Sequence, residues 1–326
     1  MDCTASQKTI LMKASIDIGT NTVLLLVAEV SGTKLNVIEE NHRAPRLGRG
    51  VDESGYLSEE AMQRVIGVLR EYQRRVTDSY PEIETIRTMG TSAVRDARNR
   101  AEFSRKIATE TGLELEILSG GQEARYTYLG AQSVLSKEVL SDTNVVIDIG
   151  GGSTEIAMGR GGKLLDQYSF DMGCVRFTER YLKDDPLSDR QMEECRKAIG
   201  QMLSEHTFSF SDSATLIGVA GSVTSLAYMA QEMDEYRAEP INGYIISLET
   251  LREYIAKLKT FTALELTRKY PVVMEERADI FRAGLLILED FMEQYGFSQL
   301  AASTGGIRHG SLLVGSLHQK QKGQQS

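Results

Sequence analysis

Two segments of the chain place an aspartate near the end of an apolar run and a glycine turn directly after it. Asp17 ends the first run and Asp148 ends the second. The turns contain glycine and short hydrogen-bonding residues: Gly19, Thr20, Asn21 and Thr22 in the first, and Gly150, Gly151, Gly152, Ser153 and Thr154 in the second. Glycine lets backbone N–H groups approach an anion closely, and the aspartates could hold a divalent cation. We therefore expect both turns to bind phosphate beside a metal ion such as Mg²⁺.

The two turns belong to an internal repeat. Residues 16–22 align with residues 147–153, and residues 32–35 resemble residues 161–164. The period of roughly 130 residues is far too long for a solenoid and suits a duplicated domain. A single turn of this type is most often an ordinary hairpin turn with aspartate as turn former, whereas two matched turns favour a functional interpretation. A chain of phosphates with Mg²⁺ would fit between the turns if they faced each other across a cleft.

Two further segments place polar groups where a predicted helix follows a predicted strand. The first carries Ser92 and Arg95, which could bind phosphate through a hydroxyl and a forked guanidinium. The second carries Glu123, which could polarise a water molecule for attack on a phosphoryl group. A structural interpretation exists for each: Ser92 as a helix cap, Arg95 as a surface arginine and Glu123 as a carboxylate favoured by the helix dipole.

The elements that must hold these residues begin with a strand-turn-strand pattern. Apolar runs broken by turn residues predict six strands, over residues 14–18, 22–30, 34–40, 144–149, 154–158 and 163–170. A Rossmann or P-loop site requires a glycine loop between a strand and a helix, whereas both glycine turns here lead into another strand. With helices predicted after each set of strands, the sequence indicates an α/β chain of two similar halves.

Capping signals predict where several helices begin. Ser58 is expected to cap a helix that carries acidic residues in its first turn. Ser188 and Gln191 have the spacing of a capping box. Apolar residues spaced three and four apart predict a further helix over residues 276–295, which Gly296 would end.

Composition limits the classes of function. The 326 residues suit two domains at about 150 residues each. With 37 Lys and Arg against 46 Asp and Glu, the net charge of −9 excludes a general nucleic-acid coat, because binding a nucleic-acid backbone needs excess positive charge. A polyanion could bind only through a local basic pocket or a metal ion.

Cysteine content and hydropathy bear on the compartment. Cys3, Cys174 and Cys195 lie far apart and are odd in number, which favours a reducing compartment without disulfides or a zinc site. No run of about 18 apolar residues predicts a membrane span, and residues 1–13 lack the apolar core of a signal peptide. We expect a cytoplasmic protein that associates with neither nucleic acid nor membrane.

Taken together, the motifs resemble those of the exopolyphosphatase / guanosine pentaphosphate phosphohydrolase family, within the superfamily of actin, sugar kinases and heat-shock ATPases. Besides residues 16–22 and 148–155, the resemblance is carried by residues 91–99, 119–125, 221–224, 276–279 and 306–310. These motifs follow the family's order from residue 14 to residue 317. The chain is similar to the short form of the family, which lacks a carboxy-terminal helical extension.

The resemblance implies two ribonuclease-H-like (actin-like ATPase) domains with mixed sheets flanked by helices, and an active site in the cleft between them. Domain I would comprise residues 1–128 and 308–326, including a last helix that packs back on it. Domain II would comprise residues 129–307.

The resemblance also implies roles for single residues. Glu123 falls on the general base and Arg95 on a phosphate-binding arginine. Asp148 and Glu155 fall on positions linked to the metal, and Asp17 is expected to join them from the first turn. Gln122 departs from the family pattern, because relatives often carry another acid there. That departure would leave less negative charge beside the base and alter its pKa.

The function expected from these residues is Mg²⁺-dependent release of terminal phosphate from inorganic polyphosphate, from guanosine pentaphosphate, or from both. One alternative is an ATP-dependent small-molecule kinase, in which residues 221–224 occupy the place of the superfamily's nucleoside loop. The other is a sensor that binds the guanosine nucleotide without turnover. Retention of Glu123, Asp148 and Glu155 together argues against a sensor.

Several arginines raise the question of chain length. Arg43, Arg46 and Arg49, with Arg308, could form a basic track for a long polyanion, although a solvated arginine face would look the same in the sequence. The sequence does not choose between polyphosphate and guanosine pentaphosphate, and it leaves a homodimer open.

Overall fold

The computed structural model describes residues 10–322, in which two β-sheets are flanked by helices. The strands of the first sheet are β1 (Leu11–Ile18), β2 (Val23–Ser31), β3 (Lys34–Arg43), β4 (Ile86–Gly90) and β5 (Leu115–Ile117). They lie in the order β3-β2-β1-β4-β5. The helices of this half are α1 (Val51–Ser54), α2 (Glu59–Ser79), α3 (Ser92–Asp96), α4 (Arg100–Thr111) and α5 (Gly120–Ser133).

The second sheet repeats this plan with one additional strand. Its strands are β6 (Thr143–Ile149), β7 (Thr154–Arg160), β8 (Lys163–Phe170), β9 (Thr215–Val219), β10 (Ile245–Ser247) and β11 (Gln299–Ala302), in the order β10-β11-β9-β6-β7-β8. The helices are α6 (Cys174–Tyr181), α7 (Asp189–Leu203), α8 (Ala220–Ala230), α9 (Ala238–Ile241), α10 (Leu248–Leu258), α11 (Ala263–Lys269), α12 (Pro271–Met274), α13 (Phe281–Tyr295) and α14 (Ile307–Lys322).

Strand pairing is the same in the two sheets. β1 runs antiparallel to β2 and parallel to β4, and β6 runs antiparallel to β7 and parallel to β9. The turns also match: the amide of Gly19 donates to the carbonyl of Thr22 (2.8 Å), and the amide of Gly150 donates to the carbonyl of Ser153 (3.0 Å). The predicted internal repeat is therefore confirmed as a duplicated strand-turn-strand unit. The predicted α/β class with two mixed sheets is confirmed as well.

Two helices cross between the halves. α5 follows the first sheet but packs on the second, where Ala124 and Tyr128 join the core under β6 and β7. α14 follows the second sheet but packs on the first, where Leu312 and Leu313 join the core under β2. The last helix therefore contacts the first sheet. The division of the chain after residue 128 stays a prediction, and it falls inside α5.

Both predicted helix starts are confirmed, but the capping box predicted at one of them is wrong. Ser58 caps α2 through its side chain, as its position indicated. Ser188 precedes α7 but makes no capping hydrogen bond, so the predicted capping box there is wrong. The partner it needed is engaged elsewhere, because Gln191 accepts from the amide of Asp184 (2.9 Å).

The late helix is shorter than its apolar periodicity predicted. α13 begins at Phe281 rather than at residue 276, and residues 275–280 form turns. These turns bring Glu276 and Arg277 to the cleft between the halves, which a continuous helix would not require. Over residues 10–322, no helix has both the length and the apolar content that crossing a bilayer would take.

Candidate active site

The two halves enclose a cleft of about 660 Å³. One wall consists of the β1–β2 turn, the end of β3 and the first residues of α3. The other consists of the β6–β7 turn, the start of α8 and the turns before α13. The two predicted glycine turns therefore face the same cavity.

Each glycine turn has carbonyl groups bound by the protein and amide groups left open. In the first turn, the carbonyl of Thr20 accepts from Gly48 (2.7 Å). In the second, the carbonyl of Gly151 accepts from Val175 (2.9 Å). Within the described chain, the amides of residues 20–22 and 151–153 donate to no protein group. Clustered free amides in a turn form an anion-binding nest, so both turns have the form of an anion site.

The turns contact each other, and glycine is required where they do. A Cβ on Gly152 would stand 2.4 Å from the Oγ of Ser92, and one on Gly151 would stand 2.7 Å from the Cβ of Thr20. A side chain at either position would collide with a side chain of the opposite half unless one of them moved. The structure thus brings the predicted phosphate-binding residues of both turns and Ser92 into one site.

Four carboxylates lie at the base of this site: Asp17, Glu123, Asp148 and Glu155. Asp148 and Glu155 are direct partners across β6 and β7, a register that places their Cβ atoms about 5 Å apart on one face. Asp148 accepts from the hydroxyl of Thr127 (2.9 Å), and Glu155 accepts from the hydroxyl of Ser169 (2.6 Å).

Asp17 differs from the other three carboxylates in its partners. Its Oδ1 is enclosed and has no hydrogen-bond partner in the described structure. An unsatisfied buried carboxylate oxygen is costly, which marks this atom as one that a cation or a ligand proton would complete.

Burial of these groups raises the pKa of each carboxyl. The pKa of Asp17 rises to about 7, that of Glu155 to about 7 and that of Asp148 to about 6, with loss of hydration as the main cause. The negative charge of Asp148 raises the first two further. The pKa of Glu123 lies well above its ordinary value because of burial and then because of Glu155. A cation bound among these groups would relieve their repulsion.

Arg95 and Glu123 form an ion pair instead of acting separately. The Nη1 of Arg95 donates to the Oε1 of Glu123, which is 2% exposed. The same Nη1 also donates to the carbonyl of Leu118 (3.3 Å). The positive charge of Arg95 lowers the pKa of Glu123 and opposes the effect of burial. The arginine predicted to bind phosphate therefore also sets the charge of the predicted base.

The family to which the chain belongs follows from comparison of its sequence with known protein families. Residues 26–320 match the model of the Ppx/GppA phosphatase family. The chain belongs to the Ppx/GppA phosphatase family. It is accordingly a phosphohydrolase, and the family resemblance stated from the motifs is confirmed.

The similarity to relatives and to solved structures covers nearly the whole length of this chain. "Exopolyphosphatase 2" of Mycobacterium tuberculosis is 32% identical over 319 residues, which cover 92% of this chain and 97% of that protein. A bifunctional 3-dehydroquinate synthase/phosphatase of Fusobacterium nucleatum is 30% identical over 93% of this chain and 46% of its own length. The crystal structure of the Aquifex aeolicus Ppx/GppA family member superposes with a TM-score of 0.81 at 29% identity, covering 95% of this chain and 99% of that one.

Gln122, the departure from the family pattern, has a structural role in this Ppx/GppA protein. Its Oε1 accepts from the amide and the hydroxyl of Ser119 (both 2.9 Å), and the hydroxyl of Ser119 accepts from the amide of Gln122. This capping box starts α5 and fixes the turn that presents Glu123. The side chain of Gln122 is thus used at the helix start, beside the base in sequence.

Arg277 is a cleft residue for which the sequence analysis proposed no role. Its guanidinium lies against the backbone of Gly221, where an added Cβ would stand 1.2 Å from Nη1. Within the described chain no carboxylate forms an ion pair with it, and burial lowers its pKa. A partly buried, unpaired guanidinium in a phosphohydrolase cleft is suited to bind substrate oxygens. The family motif over residues 276–279 includes Arg277, but the helix predicted from residue 276 gave no reason to place its side chain in the cleft.

The four track arginines do not lie together. Arg43 donates to Glu71 of α2 (2.6 Å), and Arg46 pairs with Asp279 (2.7 Å). Arg49 is exposed and does not line the cleft. Arg308 does line the cleft, although it also pairs with Glu40 (3.1 Å). Of the four predicted track arginines, Arg308 is the one that lines the cleft, and Arg46 lies next to the first glycine turn, where its amide donates to the carbonyl of Asn21 (3.0 Å).

The residues present suit a hard divalent cation. Carboxylate oxygens are the ligands that Mg²⁺ prefers, and Asp17 provides an enclosed oxygen without a partner. Among residues 10–322, no three His, Cys, Asp or Glu side chains stand close enough to enclose a metal by themselves. Mg²⁺ usually binds through one or two carboxylates and completes its shell with water and substrate phosphates, so this donor set fits it.

Proposed function

We propose that this Ppx/GppA protein is an exopolyphosphatase that requires Mg²⁺, releases terminal phosphate from inorganic polyphosphate and also converts guanosine pentaphosphate to the tetraphosphate. The observation that carries the proposal is the pair of facing glycine turns, whose free amides converge above buried carboxylates. Amide nests suit consecutive phosphoryl groups, and a carboxylate cluster suits the cation that accompanies them.

The chain's own residues supply base, positioning and charge. We infer that Glu123 accepts a proton from a water molecule whose oxygen attacks the terminal phosphorus in line with the bridging oxygen. The bond from that phosphorus to the bridging oxygen breaks, which releases orthophosphate and a chain one phosphate shorter. The open amides of residues 20–22 and 151–153 bind the non-bridging oxygens, where negative charge has to be stabilised. Arg95 favours the ionised form of Glu123, which is the form that can accept the proton.

In this proposal Asp17, Asp148 and Glu155 would hold the divalent cation, with one or two of them as direct ligands and the remainder acting through bound water. When bound, the cation neutralises phosphate charge and orients the phosphoryl group for displacement. Thr127 and Ser169 orient the carboxylates of Asp148 and Glu155 through the hydrogen bonds described above. Without a cation, a polyanionic substrate would meet four buried acids, which explains why we expect a strict metal requirement.

Polyphosphate is proposed as the principal substrate because of the relative from M. tuberculosis, which is named exopolyphosphatase 2. Two features of the cleft are compatible with the guanosine nucleotide as well. Arg277 and Tyr236 both line the cleft, where a guanidinium and an aromatic ring could meet a second phosphate group and a base.

A substrate panel tests the proposal. Phosphate release from long-chain polyphosphate, guanosine pentaphosphate and ATP is measured side by side, with Mg²⁺ and with chelator. The proposal expects release from the first two substrates with Mg²⁺ and none with chelator. Binding of the guanosine nucleotide without release would instead support a sensor, and consumption of ATP only with a hydroxyl acceptor would support a kinase.

A further inference from the structure

Arg176, near the start of α6, binds acceptors on three separate segments of the chain. Its Nε donates to the carbonyl of Gly152 (2.7 Å), its Nη1 donates to Asp52 of α1 (2.8 Å), and its Nη2 donates to Asp96 at the end of α3 (2.6 Å). The side chain of Arg176 is only 14% exposed. Gly152 belongs to the second half, whereas Asp52 and Asp96 belong to the first. One guanidinium thus joins the second glycine turn to α1 and α3 of the first half.

The hydrogen bond to Gly152 is the last of three that hold successive carbonyl groups of the second glycine turn. The carbonyl of Gly150 accepts from the amide of Cys174 (2.9 Å), and the carbonyl of Gly151 accepts from the amide of Val175 (2.9 Å). The next carbonyl, that of Gly152, is held by the side chain of Arg176. Three successive carbonyls of the turn are thus bound by residues of α6. The amides of residues 151–153, which donate to no protein group in the described structure, remain free to bind a ligand. Arg176 supplies the one contact in this series that depends on a side chain.

The contact with Asp96 extends the same arrangement toward the base. The Oδ2 of Asp96, which accepts from Arg176, also accepts from the hydroxyl of Ser92 (3.4 Å). The Oδ1 of Asp96 lies 3.6 Å from the Nε of Arg95, and Arg95 pairs with Glu123. Arg176 is therefore linked through Asp96 to the residues that hold the base.

We propose that Arg176 is a positioning residue, which fixes the second phosphate-binding turn against the Ser92–Arg95 segment when the halves are closed. The inference rests on the proposed phosphohydrolase function and adds a residue to it. A planar guanidinium with diverging N–H groups can hold a carbonyl and two carboxylates at once, whereas an ammonium group acts as a single point charge. Arg176 itself lies outside the cleft lining, so it acts through Gly152 and Asp96.

Arg180, one turn further along α6, provides a matched control. It donates to the same Asp52 through two hydrogen bonds (2.6 and 2.7 Å) and also bridges the two halves. No hydrogen bond joins it to Gly152 or Asp96 in the described structure. If Arg176 merely clamped the halves together, loss of either arginine would have a similar effect.

The test compares the Arg176→Lys, Arg176→Gln and Arg180→Gln variants of the full chain. Hydrogen exchange of the amides of Gly150, Cys174 and Val175, whose hydrogen bonds hold the second glycine turn, is measured together with kcat and KM for polyphosphate and the thermal midpoint. For both Arg176 variants we expect exchange at least about tenfold faster and kcat at least about tenfold lower with little change in KM, because small misplacement of catalytic groups can cost up to 10²-fold in rate. For Arg180→Gln we expect both values within about twofold of the wild type.

Two results would overturn the inference. One is wild-type exchange at the amides of Gly150, Cys174 and Val175 in folded Arg176→Lys, whatever its activity. The other is an equal loss in Arg180→Gln, which would make Arg176 one of two interchangeable clamps. If the wild-type protein released no phosphate from any substrate, the proposed function would fail, while the exchange result would still decide whether Arg176 positions the turn.

Discussion

Arg95 and Glu123 form an ion pair that joins the segment after β4 to the first turn of α5. A general base has to accept a proton readily and has to be ionised beforehand, and the ion pair affects both properties. Burial raises the pKa of Glu123, which makes its carboxylate a stronger proton acceptor, and the charge of Arg95 opposes that rise, which favours the ionised form. Because Arg95 affects the pKa of Glu123, we expect it to affect the pH dependence of the activity, which a surface arginine would not do.

Replacement of Arg95 by Gln tests this pairing. Without the positive charge the pKa of Glu123 rises further, so the acidic limb of the kcat profile should move to higher pH and kcat at pH 7 should fall by about tenfold or more, the effect expected from a pKa shift of one unit or more. The measurement is kcat for phosphate release from pH 5 to pH 9. A higher KM with an unmoved pH profile would mean that Arg95 acts only by binding phosphate, as the family resemblance implied.

Asp148→Asn tests the proposed metal site with little change of shape. The Asn side chain can still accept the hydrogen bond from Thr127, so the fold should persist, whereas loss of a carboxylate ligand should raise the Mg²⁺ concentration needed for half-maximal activity by about 10- to 100-fold. Titration of activity with Mg²⁺ provides the measurement. Collapse of the thermal midpoint would show that Asp148 is a structural hydrogen-bonding group.

Stability of the metal-free protein should fall as pH rises. The folded-state pKa values of Asp17, Asp148 and Glu155 are raised to about 7, 6 and 7, so between about pH 4 and pH 7 the folded protein binds more protons than the unfolded chain. Stability from these groups is present at low pH and is lost as pH rises through that range.

Thermal unfolding in chelator, at pH 5.5 and pH 8, measures this dependence. The fall in midpoint between the two pH values should be smaller in Asp148→Asn than in the wild type, because one of the mutually repelling carboxyls is gone. An identical fall in both proteins would assign the pH dependence to groups outside the carboxylate cluster.

Arg277 and Arg43 provide a matched test of which arginines meet substrate. Arg277 lies unpaired in the cleft, whereas Arg43 is bound to Glu71 outside it. Arg277→Gln should raise KM for short and long polyphosphate by about tenfold or more, since a hydrogen bond to a charged group contributes about 1.5–3 kcal/mol. Arg43→Gln should leave KM within about twofold.

Initial rates on polyphosphates of two lengths check the arginine prediction. A selective loss on the longer chain in Arg43→Gln would restore the basic track that the sequence suggested. Unchanged KM in Arg277→Gln would mean that this guanidinium serves only to pack against Gly221.

The parts of the fold that could be predicted are those set by short-range patterns. Apolar runs ending in turns located the strands that hold Asp17 and Asp148, because a strand and its hairpin turn are contiguous in sequence. The repeat then indicated that both turns serve one site. Glu155 carried no such signal, since its importance arises from its register opposite Asp148 across β6 and β7, and only the family resemblance pointed to it.

The remaining contacts depend on packing between distant segments. Arg176 meets Gly152, Asp96 and Asp52 at separations of 24, 80 and 124 residues. No local pattern encodes such partners. Even a nearby donor can redirect a local signal, as at Gln191, where the predicted capping bond is replaced by one from the amide of Asp184. A correct spacing for a cap is therefore insufficient when another donor competes.

Phosphate release by Glu123→Gln, with Gln122→Glu as its neighbour control, tests the central claim most directly. Glu123→Gln keeps the size of the side chain but removes its capacity to accept a proton, so kcat on polyphosphate with Mg²⁺ should fall by at least about 10²-fold while substrate binding is largely kept. Gln122→Glu preserves a residue that can complete the capping box with Ser119 and should stay near wild-type activity. Near wild-type turnover in Glu123→Gln would contradict the assignment of Glu123 as the general base.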